Sequence, residues 1–94
     1  MYAKKTVIIN KSGLHARPGS AFVREAKKFV SKITVSKLDG QDNPVQSGDA
    51  KSLVKVMSML LSKDTHIEIS AKGEDEHTAV DTLIDLVDSG LNDL

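Results

Sequence analysis

Residues 6–18, TVIINKSGLHARP, contain the pattern on which the fold depends, because a strand, a break and a helix start follow one another there. The segment from Thr6 to Asn10 is short and rich in β-branched residues, which is typical of a β-strand. Ser12-Gly13 interrupts that pattern. Pro18 suits the first turn of a helix, where a missing N–H group costs little. The stretch therefore predicts a strand followed closely by a helix that begins at Ala16.

The rest of the chain alternates between strand-like and helix-like patterns, with no linker and no repeat. Apolar residues recur at three- and four-residue spacing in three segments, which predicts amphipathic helices. Polar and apolar residues alternate in two segments, which predicts strands with one buried face. The predicted helices span residues 16 to about 30, 52–62 and 75 to about 89, and the predicted strands span residues 6–10, 32–38 and 65–71. The second helix is expected to be mostly buried.

A hairpin is predicted after the second strand, because Asp39-Gly40 is a strong turn signal. Its return leg contains Pro44 and Gly48, which weaken strand pairing. We therefore expect residues 39–49 to form a long, irregular hairpin tip. The element order is β-α-β-β-α-β-α, and the helices must cover one face of the sheet in a two-layer α+β fold.

The composition predicts one compact domain over residues 1–94. Apolar residues make up 39% of the chain and charged residues 28%, which suits a core with a soluble surface. Thirteen Lys and Arg residues balance thirteen Asp and Glu residues, so nothing global favours nucleic acid as a partner. The chain has no cysteine, and no segment resembles a signal peptide or a membrane span. We therefore expect a cytoplasmic protein that does not insert into the membrane.

The residues that carry chemistry lie in SGLHARPG, residues 12–19. A histidine stands there at the start of the predicted helix, where free backbone N–H groups and the helix dipole form an anion site. The neutral imidazole of His15 is a competent nucleophile near pH 7. The planar guanidinium of Arg17 can pair with phosphate oxygens. The sequence therefore predicts a histidine that carries a phosphoryl group, with no second group evident that would complete a hydrolysis.

Neither of the other two histidines has this context. His66, His77 and His15 show no H-x-x-x-H pattern and no carboxylate-supported ligand spacing. We therefore expect no metal site and no cofactor.

The segment GLHARP, residues 13–18, resembles the phosphorylation-site signature of the histidine-containing phosphocarrier proteins of the bacterial sugar phosphotransferase system. The resemblance covers nearly the whole chain and includes AKSL at residues 50–53 and GEDE at residues 73–76. It implies an open-faced sandwich of four antiparallel strands with three helices on one face. That architecture agrees with the element order derived above.

The resemblance also implies roles and partners. In that family the histidine, here His15, receives phosphate from enzyme I and passes it to sugar-specific enzyme IIA proteins, with Arg17 as the phosphate partner. Such a carrier is expected to be a monomer and a stoichiometric intermediate rather than a turnover enzyme. Ser52 matches the serine that HPr kinase/phosphorylase modifies in Gram-positive members, a change that links carbon supply to a transcriptional regulator.

Two alternatives stay open at this point. One is a regulatory binding module of the same fold that acts through Ser52, and the other is a phosphocarrier of the nitrogen-related branch. Ser52 is also expected to be a helix N-cap, because it precedes an apolar helical run. Gly19 stands where the family usually has alanine, and we expect it to loosen the first helical turn by up to about 1 kcal/mol.

A partner-binding surface is expected beside His15. Basic residues of the first helix form a ridge that would steer an acidic partner, and apolar residues of the second helix would form an exposed docking patch. The predicted partner-binding residues are Arg24, Lys27, Lys51, Leu53, Val54 and Lys55.

Overall fold

The computed structural model describes residues 1–91, which form four strands and three helices in the predicted order. The elements are β1 (Tyr2–Val7), α1 (Ala16–Ala26), β2 (Lys32–Leu38), β3 (Pro44–Asp49), α2 (Leu53–Ser58), β4 (His66–Lys72) and α3 (Glu76–Asp88).

The strands form one antiparallel sheet in the order β1-β4-β2-β3. Side chains of the central strands alternate, so that Ile33 and Ile69 are fully buried while Thr34 and Ser70 are half-exposed on the opposite face. The helices cover the buried face. They contribute to the core the fully buried side chains of Phe22, Val56 and Leu83. The predicted open-faced α+β sandwich, with four antiparallel strands and three helices on one face, is confirmed.

The expectation of a long, irregular hairpin tip at residues 39–49 was wrong. β3 pairs with β2 from Pro44 to Asp49, with one register shift between Lys37 and Leu38, and the turn occupies only residues 39–43. The carboxylate of Asp39 organises this turn by accepting the backbone N–H groups of Gln41 at 2.8 Å and Asn43 at 3.0 Å. Pro44 is tolerated because it is the first residue of an edge strand, where a missing N–H group breaks little.

The first two helices are shorter than the sequence predicts. α1 ends at Ala26 rather than near residue 30, and α2 ends at Ser58 rather than at residue 62. Two residues beyond α2, Leu60 has a φ angle of 54°. A right-handed helix requires a negative φ, so α2 cannot continue through this residue. The helical spacing of apolar residues nevertheless continues in the sequence, which is why the prediction was too long.

β1 lies at residues 2–7, four residues earlier than its predicted start. Its polar side chains are satisfied by α3, since the Tyr2 hydroxyl donates to Asp81 at 2.8 Å and the Lys4 ammonium lies 2.8 Å from the same carboxylate. The contact with Lys4, and after it the hydrogen bond from Tyr2, hold the pKa of the Asp81 carboxyl below its usual range. The sequence pattern did not predict the first part of β1, because its polar residues contact a helix and do not show the apolar alternation typical of a strand.

A carboxylate joins the end of the α1–β2 connection to the turn before α3. Asp75 accepts the backbone N–H groups of Val30 at 2.9 Å and Ser31 at 3.0 Å, and also the Ser31 hydroxyl. Gly73 lies so close to Ser31 that a Cβ atom on the glycine would stand 2.7 Å from the Ser31 Cα atom. The Ser31 hydroxyl, and after it the Val30 N–H group, lower the pKa of Asp75.

We predict that replacing Asp75 with Asn lowers the melting temperature at pH 7. Folding depresses the pKa of Asp75, so its charged form stabilises the fold fully above the unfolded-state pKa of about 4. That contribution is lost as the pH falls through the lower folded-state pKa. Thermal unfolding between pH 3 and pH 7 should therefore show a difference between the two proteins that is constant above about pH 5 and shrinks in acid.

The matched control is Asp85→Asn, which removes an exposed carboxylate from α3, the helix that follows Asp75. It should leave the melting temperature nearly unchanged across this pH range. An Asp75→Asn protein that melts like the Asp85→Asn protein at pH 7 would contradict the assignment.

Candidate functional site

His15 is the N-cap residue of α1, with an extended backbone (φ −119°, ψ 157°) and a half-exposed side chain. Its carbonyl accepts the N–H group of Gly19 at 3.3 Å, while its imidazole does not cap the helix. The N–H groups of Ala16 and Arg17 lie in the first helical turn, where they have no intrahelical acceptor. An accessible imidazole therefore stands at a helix end that favours an anion.

The two residues after His15 complete this end of the helix. Arg17 is exposed, so its guanidinium is available to a phosphate or to a partner protein. Ala16 has a φ angle of 50°, in the left-handed region that non-glycine residues adopt at a cost of roughly 1–2 kcal/mol. Backbone positions of this kind are concentrated at functional sites.

The loop before His15 is fixed by hydrogen bonds of its backbone and of the Asn10 side chain. The Asn10 side-chain amide donates to the Gly13 carbonyl at 2.8 Å, and the Gly13 N–H group donates to the Asn10 carbonyl at 3.2 Å. The N–H group of Leu14, a fully buried residue, donates to the carbonyl of Leu61 at 2.8 Å. Leu61 belongs to the α2–β4 loop, so two loops that are distant in sequence hold the histidine together.

Gly13 is required by two independent features of this contact. Its φ angle is 65°, which glycine adopts without steric cost. A Cβ atom at this position would lie 2.3 Å from the Leu61 carbonyl oxygen and 2.8 Å from the Cα atom of Ser62. Any larger residue would push the two loops apart.

The expectation that alanine would suit position 19 better than glycine does not hold for this backbone. A Cβ atom at Gly19 would stand 2.7 Å from the carbonyl oxygen of Leu14 and 3.8 Å from the Cδ1 atom of Leu53. The glycine thus allows the first turn of α1 to approach the buried Leu14 backbone. It also places the start of α2 beside the start of α1.

Ser52 has the N-cap role that the sequence predicts. It is the N-cap residue of α2, and its hydroxyl accepts the N–H group of Lys55 at 3.3 Å. The residue is half-exposed. Because the next residue, Leu53, packs near Gly19, the N-caps of both helices lie on the same side of the molecule.

The predicted partner-binding residues divide into two groups. Arg24, Lys27 and Lys55 are exposed, and the Val54 side chain is 81% exposed. The other two residues also have roles within the fold. Leu53 packs against the core, and the half-buried Lys51 donates from its ammonium group to the carbonyl of Phe29 at 2.6 Å.

Two exposed apolar residues join Val54 on this surface. Met57 is 37% exposed and Leu60 is 64% exposed, which corrects the expectation of a mostly buried second helix. We call Val54, Met57 and Leu60 the α2 apolar patch. The exposure of Leu60 could not be read from the sequence, because it results from the end of the helix at residue 58.

The comparisons with known proteins agree with this geometry. A family model described as the PTS HPr component phosphorylation site matches residues 2–89. This chain belongs to the HPr family. It is a phosphocarrier of the phosphotransferase system.

Individual relatives cover almost the whole HPr chain. The phosphocarrier protein HPr of Haemophilus influenzae is 45% identical over 87 residues, which cover 93% of this chain and 95% of that protein. The crystal structure of HPr-C-His from Thermoanaerobacter tengcongensis superposes with a TM-score of 0.87 at 36% identity, covering 100% of this chain and 99% of that one.

A regulatory relative is similar as well. The catabolite repression containing protein Crh of Bacillus subtilis, crystallised as a domain-swapped dimer, superposes with a TM-score of 0.70 at 36% identity and covers 96% of this chain and 97% of that chain. The match to the family model and the curated HPr relatives support the phosphocarrier interpretation better than the regulatory-module alternative.

The charges of this HPr protein are unevenly placed along the chain, although they balance in total. Nine of the thirteen Lys and Arg residues lie within residues 1–38, where Glu25 is the sole acidic residue. That part of the chain contains His15, Arg17 and the whole of α1. Residues 1–38 therefore carry a net positive charge, which favours an acidic partner.

Within residues 1–91, no group of three His, Asp or Glu side chains is placed to hold a metal ion. No helix in this part of the chain is long and apolar enough to cross a membrane.

We predict that Gly13→Ala lowers the free energy of unfolding by about 3 kcal/mol, because it adds both a left-handed alanine and a backbone clash. Gly40→Ala is the matched control, since no atom lies within 4 Å of the added Cβ atom there. The control should change the free energy by less than about 0.5 kcal/mol. Chemical denaturation of the three proteins measures both values, and equal losses would contradict the role given to Gly13.

Proposed function

We propose that this HPr protein accepts a phosphoryl group on His15 from phosphorylated enzyme I and passes it unchanged to enzyme IIA proteins. The observation that carries the proposal is the half-exposed imidazole at the N-terminus of α1, beside the exposed Arg17. The protein then acts as a stoichiometric intermediate in the cytoplasm. The specific donor, acceptors and location belong to this proposal.

The chemistry requires little from the carrier itself. A lone pair of the neutral His15 imidazole attacks phosphorus, the new N–P bond forms, and the bond between phosphorus and the donor breaks, which leaves its electron pair on the donor. The reverse sequence delivers the phosphoryl group to the acceptor. The α1 N–H groups and the Arg17 guanidinium balance the charge of the equatorial oxygens during each step.

The docking surface in this proposal combines basic and apolar residues. Arg24 and Lys27 on α1 supply the charge that steers an acidic partner, and Lys51 and Lys55 extend it near α2. The α2 apolar patch supplies apolar surface that is removed from water on binding, and the neighbouring Leu53 packs against the core. This combination favours partners with an acidic surface around an apolar centre.

Regulation through Ser52 is part of the same proposal. A phosphate on an N-cap residue is accommodated by the helix dipole, so modification by HPr kinase/phosphorylase need not disrupt α2. The modified protein would then bind a transcriptional regulator. The similarity to Crh supports this second role, which is compatible with phosphoryl transfer through His15.

We predict that His15→Ala abolishes labelling by enzyme I and phosphoenolpyruvate, while Arg17→Ala slows it by about 10–100-fold. The difference follows because the imidazole forms the covalent bond and the guanidinium only stabilises charge. Single-turnover labelling measures both rates. The label on the wild-type protein should be lost in acid and kept in base, because phosphohistidine is labile in acid whereas phosphoserine is stable there.

His66→Ala is the matched control, because it removes an exposed histidine from the first residue of β4. It should accept phosphate at the wild-type rate. Undiminished labelling of the His15→Ala protein would place the acceptor elsewhere and refute the proposal.

We predict that Ser52→Asp retains the fold but accepts phosphate at His15 at least tenfold more slowly at low salt. Aspartate is itself a good N-cap, so α2 should persist. The added negative charge repels an acidic donor that already carries phosphate. Added salt should narrow the difference, since exposed charges are screened within about 8 Å at physiological ionic strength.

Ser52→Asn is the control, because asparagine caps a helix equally well without a charge. It should transfer phosphate at the wild-type rate at every salt concentration. If Ser52→Asp and Ser52→Asn have equal rates at low salt, Ser52 is a helix cap without an electrostatic role.

A further inference from the structure

Leu60 is a backbone outlier whose side chain belongs to the α2 apolar patch, but whose backbone has so far been given no role. Its φ angle of 54° lies in the left-handed region, where a branched apolar side chain is strained. Its side chain is 64% exposed, so burial does not offset that strain. A strained residue of this kind persists only where its surroundings determine the backbone.

The neighbours of Leu60 supply that constraint. Met59 is 1% exposed and Leu61 is 0% exposed, so the side chains on both sides are anchored in the core. The Leu60 N–H group donates to the Met57 carbonyl at 3.3 Å, and the Leu60 carbonyl accepts the Ser62 N–H group at 2.9 Å. The chain connects these fixed points through a left-handed turn at residue 60.

This turn sets the direction of the next carbonyl. The Leu61 carbonyl accepts the Leu14 N–H group at 2.8 Å, and it is the atom that a Cβ on Gly13 would strike at 2.3 Å. Leu14 directly precedes His15. A change in φ at Leu60 would therefore move the acceptor that fixes the backbone of the phosphorylated residue.

We propose that Leu60 is a positioning residue, whose left-handed turn aims the Leu61 carbonyl at Leu14 and thereby holds His15 in the orientation needed for phosphoryl transfer. The inference rests on the proposed function of His15. It assigns the effect to the Leu60 backbone, whereas the exposed side chain contributes separately to the α2 apolar patch. Because in-line transfer depends on placement to within about 1 Å, a small shift of this loop reduces the rate within the complex.

Substitutions at residue 60 separate the backbone from the side chain. Leu60→Val keeps an apolar side chain but strongly disfavours a positive φ, and Leu60→Gly favours a positive φ but removes the side chain. We expect Leu60→Val to lower the transfer rate at saturating donor about tenfold and to expose the Leu14 amide to faster hydrogen exchange. We expect Leu60→Gly to keep the saturating rate within about twofold while its KM for the donor rises.

Asp42→Val is the matched control. Asp42 also has a left-handed backbone, with a φ of 62°, but it lies in the β2–β3 turn. This variant should strain the hairpin and leave both the saturating rate and the Leu14 amide unchanged. Hydrogen exchange of the wild-type protein supplies a further test that needs no variant, since an unprotected Leu14 amide would overturn the proposal even if Leu60→Val did not fold.

The inference and the proposed function fail in different ways. A normal saturating rate in Leu60→Val, or an equal loss in Leu60→Val and Leu60→Gly, would refute the role of the Leu60 backbone and leave His15 as the acceptor. A wild-type protein that takes no phosphate from enzyme I would refute the proposed function, and the role of Leu60 in transfer with it.

Discussion

The hydrogen bond from the Leu14 N–H group to the Leu61 carbonyl, at 2.8 Å, is the constraint on which the placement of the site depends. It joins the β1–α1 loop to the α2–β4 loop, and Gly13 allows the two backbones to approach closely enough to form it. Backbone groups are better suited to this task than side chains, because they have no rotamers to lose. An exposed histidine thereby gains a fixed position without being buried.

The same constraint explains why the proposed acceptor and the proposed docking surface lie together. Each loop adjoins a helix that supplies residues of the proposed partner contacts. The β1–α1 loop leads into α1, which carries Arg17 and Arg24, and the α2–β4 loop follows α2, where the α2 apolar patch lies. On the exposed surface of α1, Arg17 and Arg24 add positive charge. In the proposed function, a partner drawn by that charge meets His15 and the α2 apolar patch in one encounter, which favours rapid association over long residence.

The sequence predicted the fold class and the position of His15, because both depend on local signals: alternation in β2 and β4, helical spacing, and a glycine before a helix start. It failed where tertiary contacts decide the outcome. β1 was displaced because its polar residues are satisfied by Asp81 of α3. The hairpin was misjudged because the turn depends on one carboxylate, that of Asp39. The left-handed turn at Leu60 follows from core packing of its neighbours, which no local pattern encodes.

A phosphoryl carrier differs from a hydrolase because its site must not bind the phosphoryl group too tightly. In the proposed function, the phosphoryl group on His15 has to be nearly as stable as it is on donor and acceptor, because a deep free-energy minimum at any one protein would stop the transfer. A few helix N–H groups and one exposed guanidinium give moderate stabilisation, with water and salt able to screen them. A buried cluster of cations would bind phosphate more tightly and release it more slowly. The half-exposed site at the start of α1 therefore suits reversible transfer. Few side chains fix the position of His15, and the hydrogen bond between the Leu14 and Leu61 backbones fixes it instead.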